Sequence, residues 1–228
     1  MRPLTFRTAR CATLLSCIVA VAAVPAAAAD WLDLRDAAPV RGDIAAGKAR
    51  AIVCSACHGV AGVSAVPAFP SLAGQPAEYL HGRLVLFKRE ARPDSPMTAQ
   101  VAPLDDADMR NLAAWFASLE PAPATGKTPD AHGIALYREG DPARGIPPCQ
   151  GCHGSDASGH PLAGTDARYR IYPRLRGQHA AYLVQRLTDF QAGRRTGSSS
   201  EWIMTGVAHG LDPDAVSVLA AALEAGPD

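Results

Sequence analysis

Two short strings carry the chemistry of this chain: Cys54-Ser55-Ala56-Cys57-His58 and Cys149-Gln150-Gly151-Cys152-His153. In each, two thiols stand one helical turn apart on one face, and an imidazole follows at once. That spacing suits two thioether bonds to the two vinyl groups along one edge of a haem, with the adjacent His reaching the iron from one side. It is the attachment pattern of c-type haem. Two other uses compete. A redox dithiol expects a strand–helix setting rather than a duplicate followed by His. A zinc site assembled from two Cys-x-x-Cys pairs usually has them closer than the 95 positions that separate these. The sequence has six Cys, and the remaining two, Cys11 and Cys17, fall in an N-terminal leader. No thiol is left for the structural disulfides of an ordinary exported protein. The strings therefore predict two haem c groups per chain, attached through Cys54, Cys57, Cys149 and Cys152, with His58 and His153 on the irons.

An iron held by one His takes a second protein ligand on its other face. Beyond the leader the methionines are Met97, Met109 and Met204. Met109 lies on an apolar helical stripe, where Val216 replaces it in the second copy, so it reads as core. Met97 and Met204 repeat, each seven residues ahead of a Leu-Asp pair, Leu104-Asp105 and Leu211-Asp212. They are the candidate sixth ligands. The rival is a second His at each iron. His81, His132, His160, His179 and His209 remain, but none has a His at the matching position of the other copy. His209, close to Met204, is the one to watch.

The haem strings belong to a longer internal repeat. Pro70-Ser71-Leu72-Ala73-Gly74-Gln75 recurs as Pro173-Arg174-Leu175-Arg176-Gly177-Gln178, and Tyr79-Leu80, Leu84 and Phe87 recur as Tyr182-Leu183, Leu187 and Phe190. The second copy has eight extra residues between its His and its Pro, which makes the longer loop Ser158 to Tyr172, and four more before its Met. Between the copies, Pro121 to Pro129 is rich in Pro and reads as an extended, semi-stiff linker. The organisation expected is a leader over 1–29, a first domain over 39–120, a linker over 121–131 and a second domain over 132–225.

The elements that position these residues read as helices. Met109, Leu112, Ala113 and Phe116 stand at i, i+3, i+4 and i+7, and Val216, Leu219, Ala220 and Leu223 repeat that stripe. Asp105 and Asp212 are placed as N-caps, with Pro213 in the first turn behind the second. Leu80, Leu84 and Phe87 mark another helix. Ile44 to Val53 reads as a helix running into the first haem string, whereas Pro147-Pro148 forbids the same in the second copy. No segment alternates as a strand does. The fold class expected is all-α: two tandem domains, each wrapped round one covalent haem. Domains this small bury only about 60–65% of their unfolded surface, so the haem plate is needed to complete each core. Leu72, Phe87, Leu175 and Phe190 are its expected walls.

The leader carries Arg2, Arg7 and Arg10, then an apolar run from Leu14 to Val24, then Ala26 to Ala29 ahead of Asp30. This is the pattern of a secretory signal cleaved after Ala29, which puts the mature chain in the periplasm. An uncleaved anchor facing the periplasm is the alternative, although the run is short for a span. No other segment could cross a membrane. The whole chain has 22 basic and 22 acidic side chains; without the leader's three Arg it has 19 against 22, a net of −3. Nothing in that balance points to nucleic acid.

The order Cys-x-x-Cys-His, Pro-x-Leu-x-Gly-Gln, Tyr-Leu and a Met ahead of a Leu-Asp helix start resembles class I cytochrome c, and its duplication resembles the cytochrome c4-like family of dihaem proteins. The resemblance covers nearly all of the mature chain. It implies that His58 and His153 are proximal ligands with Met97 and Met204 distal. It implies that the Pro70 and Pro173 carbonyls bind the other ring nitrogen of those His, and that Tyr79 and Tyr182 approach haem propionates. The family often has a Gly-x-Arg-x-Asn run before the Met. Here the copies read Lys88-Arg89-Glu90-Ala91-Arg92-Pro93 and Gly193-Arg194-Arg195-Thr196-Gly197 instead.

The function expected is single-electron transfer between redox partners in a respiratory chain, with a membrane oxidase or reductase complex as one partner. The alternative is a cytochrome subunit serving a periplasmic dehydrogenase. Further off is a dihaem enzyme such as a thiosulfate dehydrogenase or a peroxidase, which would want an iron with an open position. The second copy also carries Arg168, Arg170, Arg174, Arg176, Arg186, Arg194 and Arg195. Arginines near an iron favour its reduced state, which would give the second haem the higher potential; pairing with propionates or facing water is the competing use of the same residues.

Overall fold

The computed structural model describes residues 31–35, 38–90, 95–125 and 128–227. The expected signal over 1–29 lies outside these residues. The regular structure is helical: α1 (Ile44–Arg50), α2 (Ser55–His58), α3 (Ala77–Glu90), α4 (Pro96–Val101), α5 (Asp106–Ala117), α6 (Ala131–Glu139), α7 (Gln150–His153), α8 (Ala180–Gln191), α9 (Ser199–Ala208) and α10 (Pro213–Ala225). Among the described residues extended backbone pairs only at two isolated bridges, Leu32 with Ser198 and Asp141 with Ile146. The fold is all-α. No helix of the described residues is long and apolar enough to cross a membrane.

The apolar stripes organise two cores. Met109, Leu112, Ala113 and Phe116 on α5 are all buried, against Leu80 of α3 and Val101 of α4. Val216, Leu219, Ala220 and Leu223 on α10 are buried with Leu136 of α6 and Leu183 and Leu187 of α8. Both core helices start at capped Asp residues. The Asp105 side chain accepts from Asp108 N at 2.7 Å in a capping box; Asp212 accepts from Ala215 N at 2.7 Å, with Pro213 in the first turn. Each such cap contributes about 1 kcal/mol. The leading helix of each half crosses its core helix at a glycine. A Cβ on Gly47 would stand 2.0 Å from Asn111 O, and one on Gly133 would stand 2.3 Å from Val218 O, so only Gly lets the backbones approach this closely.

The approach to the two haem strings differs between halves. From Ile44 the chain stays helical into Cys54, tightening to a 3-10 turn over Ala51–Cys54 before α2. In the second half, the Asp141–Ile146 turn and Pro147-Pro148 separate α6 from α7.

The halves are joined by a reciprocal pair of glutamines. Gln75 donates from Nε2 to Arg174 O at 2.8 Å and accepts from Arg174 N at 3.0 Å. Gln178 does the same to Ser71, 3.0 Å to its carbonyl and 2.9 Å from its N–H. Ser71 and Arg174 are equivalent positions of the repeat, so each copy of the Pro-x-Leu-x-Gly-Gln segment binds the other. Both glutamines are buried. Removing either side chain would leave two backbone groups unpaired, at a cost of about 1–3 kcal/mol each.

Candidate haem sites

Each haem string sits at the edge of one continuous cavity of about 1170 Å³ that runs through both halves. Cys54, Cys57, Cys149 and Cys152 all line it. None of the four is in a disulfide, which leaves each sulfur available for a thioether bond. Burial raises the pKa of the Cys54 thiol, and raises that of Cys149 to about 11. Leu72, Phe87, Leu175 and Phe190 also line the cavity, which gives it the apolar walls that a haem face requires.

The two histidines are held alike. His58 is 7% exposed and its Nδ1 lies 2.8 Å from Pro70 O; His153 is 5% exposed and its Nδ1 lies 2.9 Å from Pro173 O. A carbonyl can only accept, so Nδ1 carries the proton and Nε2 is left with its lone pair for a metal. Burial lowers the pKa of both imidazoles, partly offset by those hydrogen bonds. The neutral form that can ligate iron is the favoured one. An aromatic ring stands edge-on to each: Phe69 at 6.3 Å from His58 and Tyr172 at 6.1 Å from His153.

Met97 on α4 and Met204 on α9 both line the cavity, whereas Met109 is buried in the first core. Among the remaining histidines, His209 is exposed at the end of α9, and His81 bonds Asp106 at 2.8 Å. His179 spans the halves, with Nε2 2.8 Å from Ser64 O. Tyr79 and Tyr182 line the cavity near the junction, beside Arg83, Arg195 and Glu201. Burial pushes the Tyr79 hydroxyl well above the usual phenol range.

The polar part of the cavity is strongly cationic. Its charged lining is Arg83, Arg174, Arg186, Arg194 and Arg195 against Asp189 and Glu201, a surplus of three positive charges. Glu201 is buried between Arg83, with which it forms an ion pair, and Arg195, 3.6 Å away. Asp189 takes Arg186 at 2.8 Å, Arg194 at 2.7 Å and Arg195 at 3.5 Å. Burial works against its carboxylate, but Arg194, Arg186, Gln185 and Arg195 together hold its pKa below the usual range. Three buried guanidinium nitrogens, Arg83 Nη2, Arg174 Nε and Arg186 Nε, lack an acceptor among the described residues. Buried N–H groups without acceptors are costly. A ligand with an apolar plate and several carboxylates fits all of this, and haem with its propionates is such a ligand.

Asp189 and Glu201 were not singled out in the sequence. Asp189 takes the position that Leu86 holds in the first copy, so a mismatch within the repeat was the available sign. Glu201 offered none. Asp189 also revises the charge expectation: three of the seven arginines of the second copy converge on it, and Arg168 pairs with Asp166 at 2.6 Å. Only part of that positive charge is uncompensated.

Comparison with known proteins agrees with this geometry. The family model for cytochrome c matches residues 44–120. A cytochrome c4 of Stutzerimonas stutzeri is 37% identical over 207 residues, covering 85% of this chain and 93% of the relative. A thiosulfate dehydrogenase electron acceptor of Thiomonas intermedia is 35% identical over 158 residues, covering 67% of this chain and 69% of the relative. Among solved structures, reduced recombinant cytochrome c4 from Pseudomonas stutzeri superposes with a TM-score of 0.71 at 37% identity, over 81% of this chain and 98% of that one. On the strength of that coverage and of the duplicated haem pocket, the chain belongs to the cytochrome c4 family and is an electron carrier with two haem c groups.

Proposed function

We propose that this chain is a periplasmic shuttle that takes single electrons from one redox protein of a respiratory chain and delivers them to another, each iron being held by one His and one Met. The observation that carries this reading is the duplicated wall of the cavity. His58 and Met97 face it from the first half, His153 and Met204 from the second. Four protein ligands for two irons leave no open coordination position, which suits transfer rather than substrate chemistry. In this reading residues 1–29 are the export signal, 39–120 and 132–225 are the two haem domains, and 121–131 joins them.

Bound haem supplies an iron that cycles between ferric and ferrous. The chain's part is to keep ligands and surroundings fixed while the charge changes. The Pro70 and Pro173 carbonyls orient the imidazoles and keep their Nδ1 protons in place. The Met97 and Met204 thioethers favour the ferrous state more than a second imidazole would. Burial adds to that preference by disfavouring the extra ferric charge. Arg83, Arg174 and Arg186 supply N–H groups for the propionates, with Tyr79 and Tyr182 nearby.

A second reading, in which the electron donor is a periplasmic dehydrogenase, is supported by the similarity to a thiosulfate dehydrogenase electron acceptor. One experiment separates the two. The oxidised protein from the periplasmic fraction is mixed either with membranes and a quinol or with periplasmic extract and thiosulfate. Reduction by membranes and quinol supports the respiratory shuttle. Reduction only with thiosulfate and extract, with a second chain co-purifying, makes the dehydrogenase its donor. Reduction by neither overturns both readings.

A further inference from the structure

Leu32 and Leu34 touch elements of both halves. Leu32 pairs in parallel with Ser198. Its N–H donates to Gly197 O at 2.8 Å and its carbonyl accepts from Ser199 N at 3.0 Å. Two residues on, Leu34 N donates to Ser199 Oγ at 2.9 Å. The Leu34 side chain is buried, lines the cavity and rests on α3: a Cβ on Gly82 would meet both of its methyl carbons at 3.3 Å. Segment 197–199 is thus held from one side by these residues.

The segment also meets α3 directly. A Cβ on Gly197 would stand 2.1 Å from Glu90 Oε1 and 3.1 Å from Leu86 Cδ2. The same segment starts α9. Ser198 is the N-cap, fully buried, and accepts from Glu201 N at 3.3 Å. Gly197 N in turn donates to Glu201 Oε2 at 2.9 Å, while Glu201 pairs with Arg83 of α3. Met204 stands less than one turn beyond Glu201 on that helix. Residues 197–199 are therefore tied both to α3 and to Leu32 and Leu34, and their position fixes where α9 begins.

We propose that Trp31–Leu34 is a positioning strap for Met204: it pins the start of α9 to α3 of the first half, so that methionine ligation of the second iron is held from the opposite half. This rests on the reading of Met204 as that iron's ligand. A thioether favours ferrous iron, so the ferric bond is the one most sensitive to how firmly α9 is seated. Loss of the strap would let α9 lift, so that hydroxide would compete with the Met204 thioether at a lower pH. The first haem, whose Met97 lies on α4, keeps its bond.

The test uses the full dihaem protein with Leu34→Ala, which removes the contact to α3, and Leu32→Pro, which removes the N–H given to Gly197. For each haem the pH at which the ferric methionine–iron absorption band is lost is measured, with amide exchange across 198–204. Met204→His identifies which transition belongs to the second haem. The expected result is a fall of about one pH unit in that transition, equivalent to about a tenfold weaker ligation, with faster exchange at 198–204 and the other transition unmoved. Transitions that do not move, or that fall together, overturn the strap. A wild-type protein without a methionine band on the second haem refutes the ligand reading itself, and that failure shows before any variant is made.

Discussion

Replacing Met204 by His will lower the reduction potential of one of the two haems by on the order of 200 mV and leave the other close to its original value. The sign follows from the ligand: a thioether stabilises electron-rich ferrous iron, whereas imidazole supports the ferric charge. The confinement to one haem follows from the fold, since Met204 is on α9 in the second half and Met97 is on α4 in the first. Redox titration followed by absorption, run on parent and variant side by side, checks this: one haem should titrate at a clearly lower potential in the variant. A variant whose two potentials both stay where they were would show that Met204 is not a ligand.

Removing the thioethers has the larger effect on stability. In a Cys149→Ala, Cys152→Ala double variant we expect one haem per chain and the loss of cooperative structure in the second half. The cavity of about 1170 Å³ is walled by Leu175, Phe190 and other apolar side chains. At about 24 cal/mol per Å³ of unfilled volume, a quarter of it left empty would cost about 7 kcal/mol. That is as large as the whole stability of many domains, about 5–15 kcal/mol. The arginines add to the cost, because Arg83 Nη2, Arg174 Nε and Arg186 Nε would keep no acceptor among the described residues. Limited proteolysis and circular dichroism would show it: cleavage in the second half and loss of part of the helical signal. A variant as resistant and as helical as the parent would mean that the polypeptide folds round an empty pocket, and that the haem is a passenger.

What could be read from the sequence was local or repeated. The haem strings are contiguous, and the stripes on α5 and α10 follow the helical period, so both cores and their Asp caps were visible in advance. Helices α4 and α9 were not. The first is six residues long and starts at Pro96, and the second exposes Trp202 and Ile203, so neither shows a clean buried stripe. Contacts between distant residues left no periodic trace: Gln178 meets Ser71 across 107 positions, Glu201 meets Arg83 across 118, and Leu34 meets Ser199 across 165. The glutamines were noticed as part of a repeated motif, but repetition alone does not say that each copy binds the other. The arginines of the second copy read as surplus charge, because the carboxylate that gathers three of them is one residue standing where the first copy has Leu86.

The central claim is a closed carrier: two haems, each iron with one His and one Met. Its most direct test is the absorption spectrum of the oxidised mature protein, with haem content per chain and the weak long-wavelength band of sulfur on ferric haem quantified per iron. Two haems with a full methionine band for each is the result expected of the proposed ligation. Two haems with one such band, or none, would contradict it, leaving an iron open or differently ligated and turning attention to catalysis at that site.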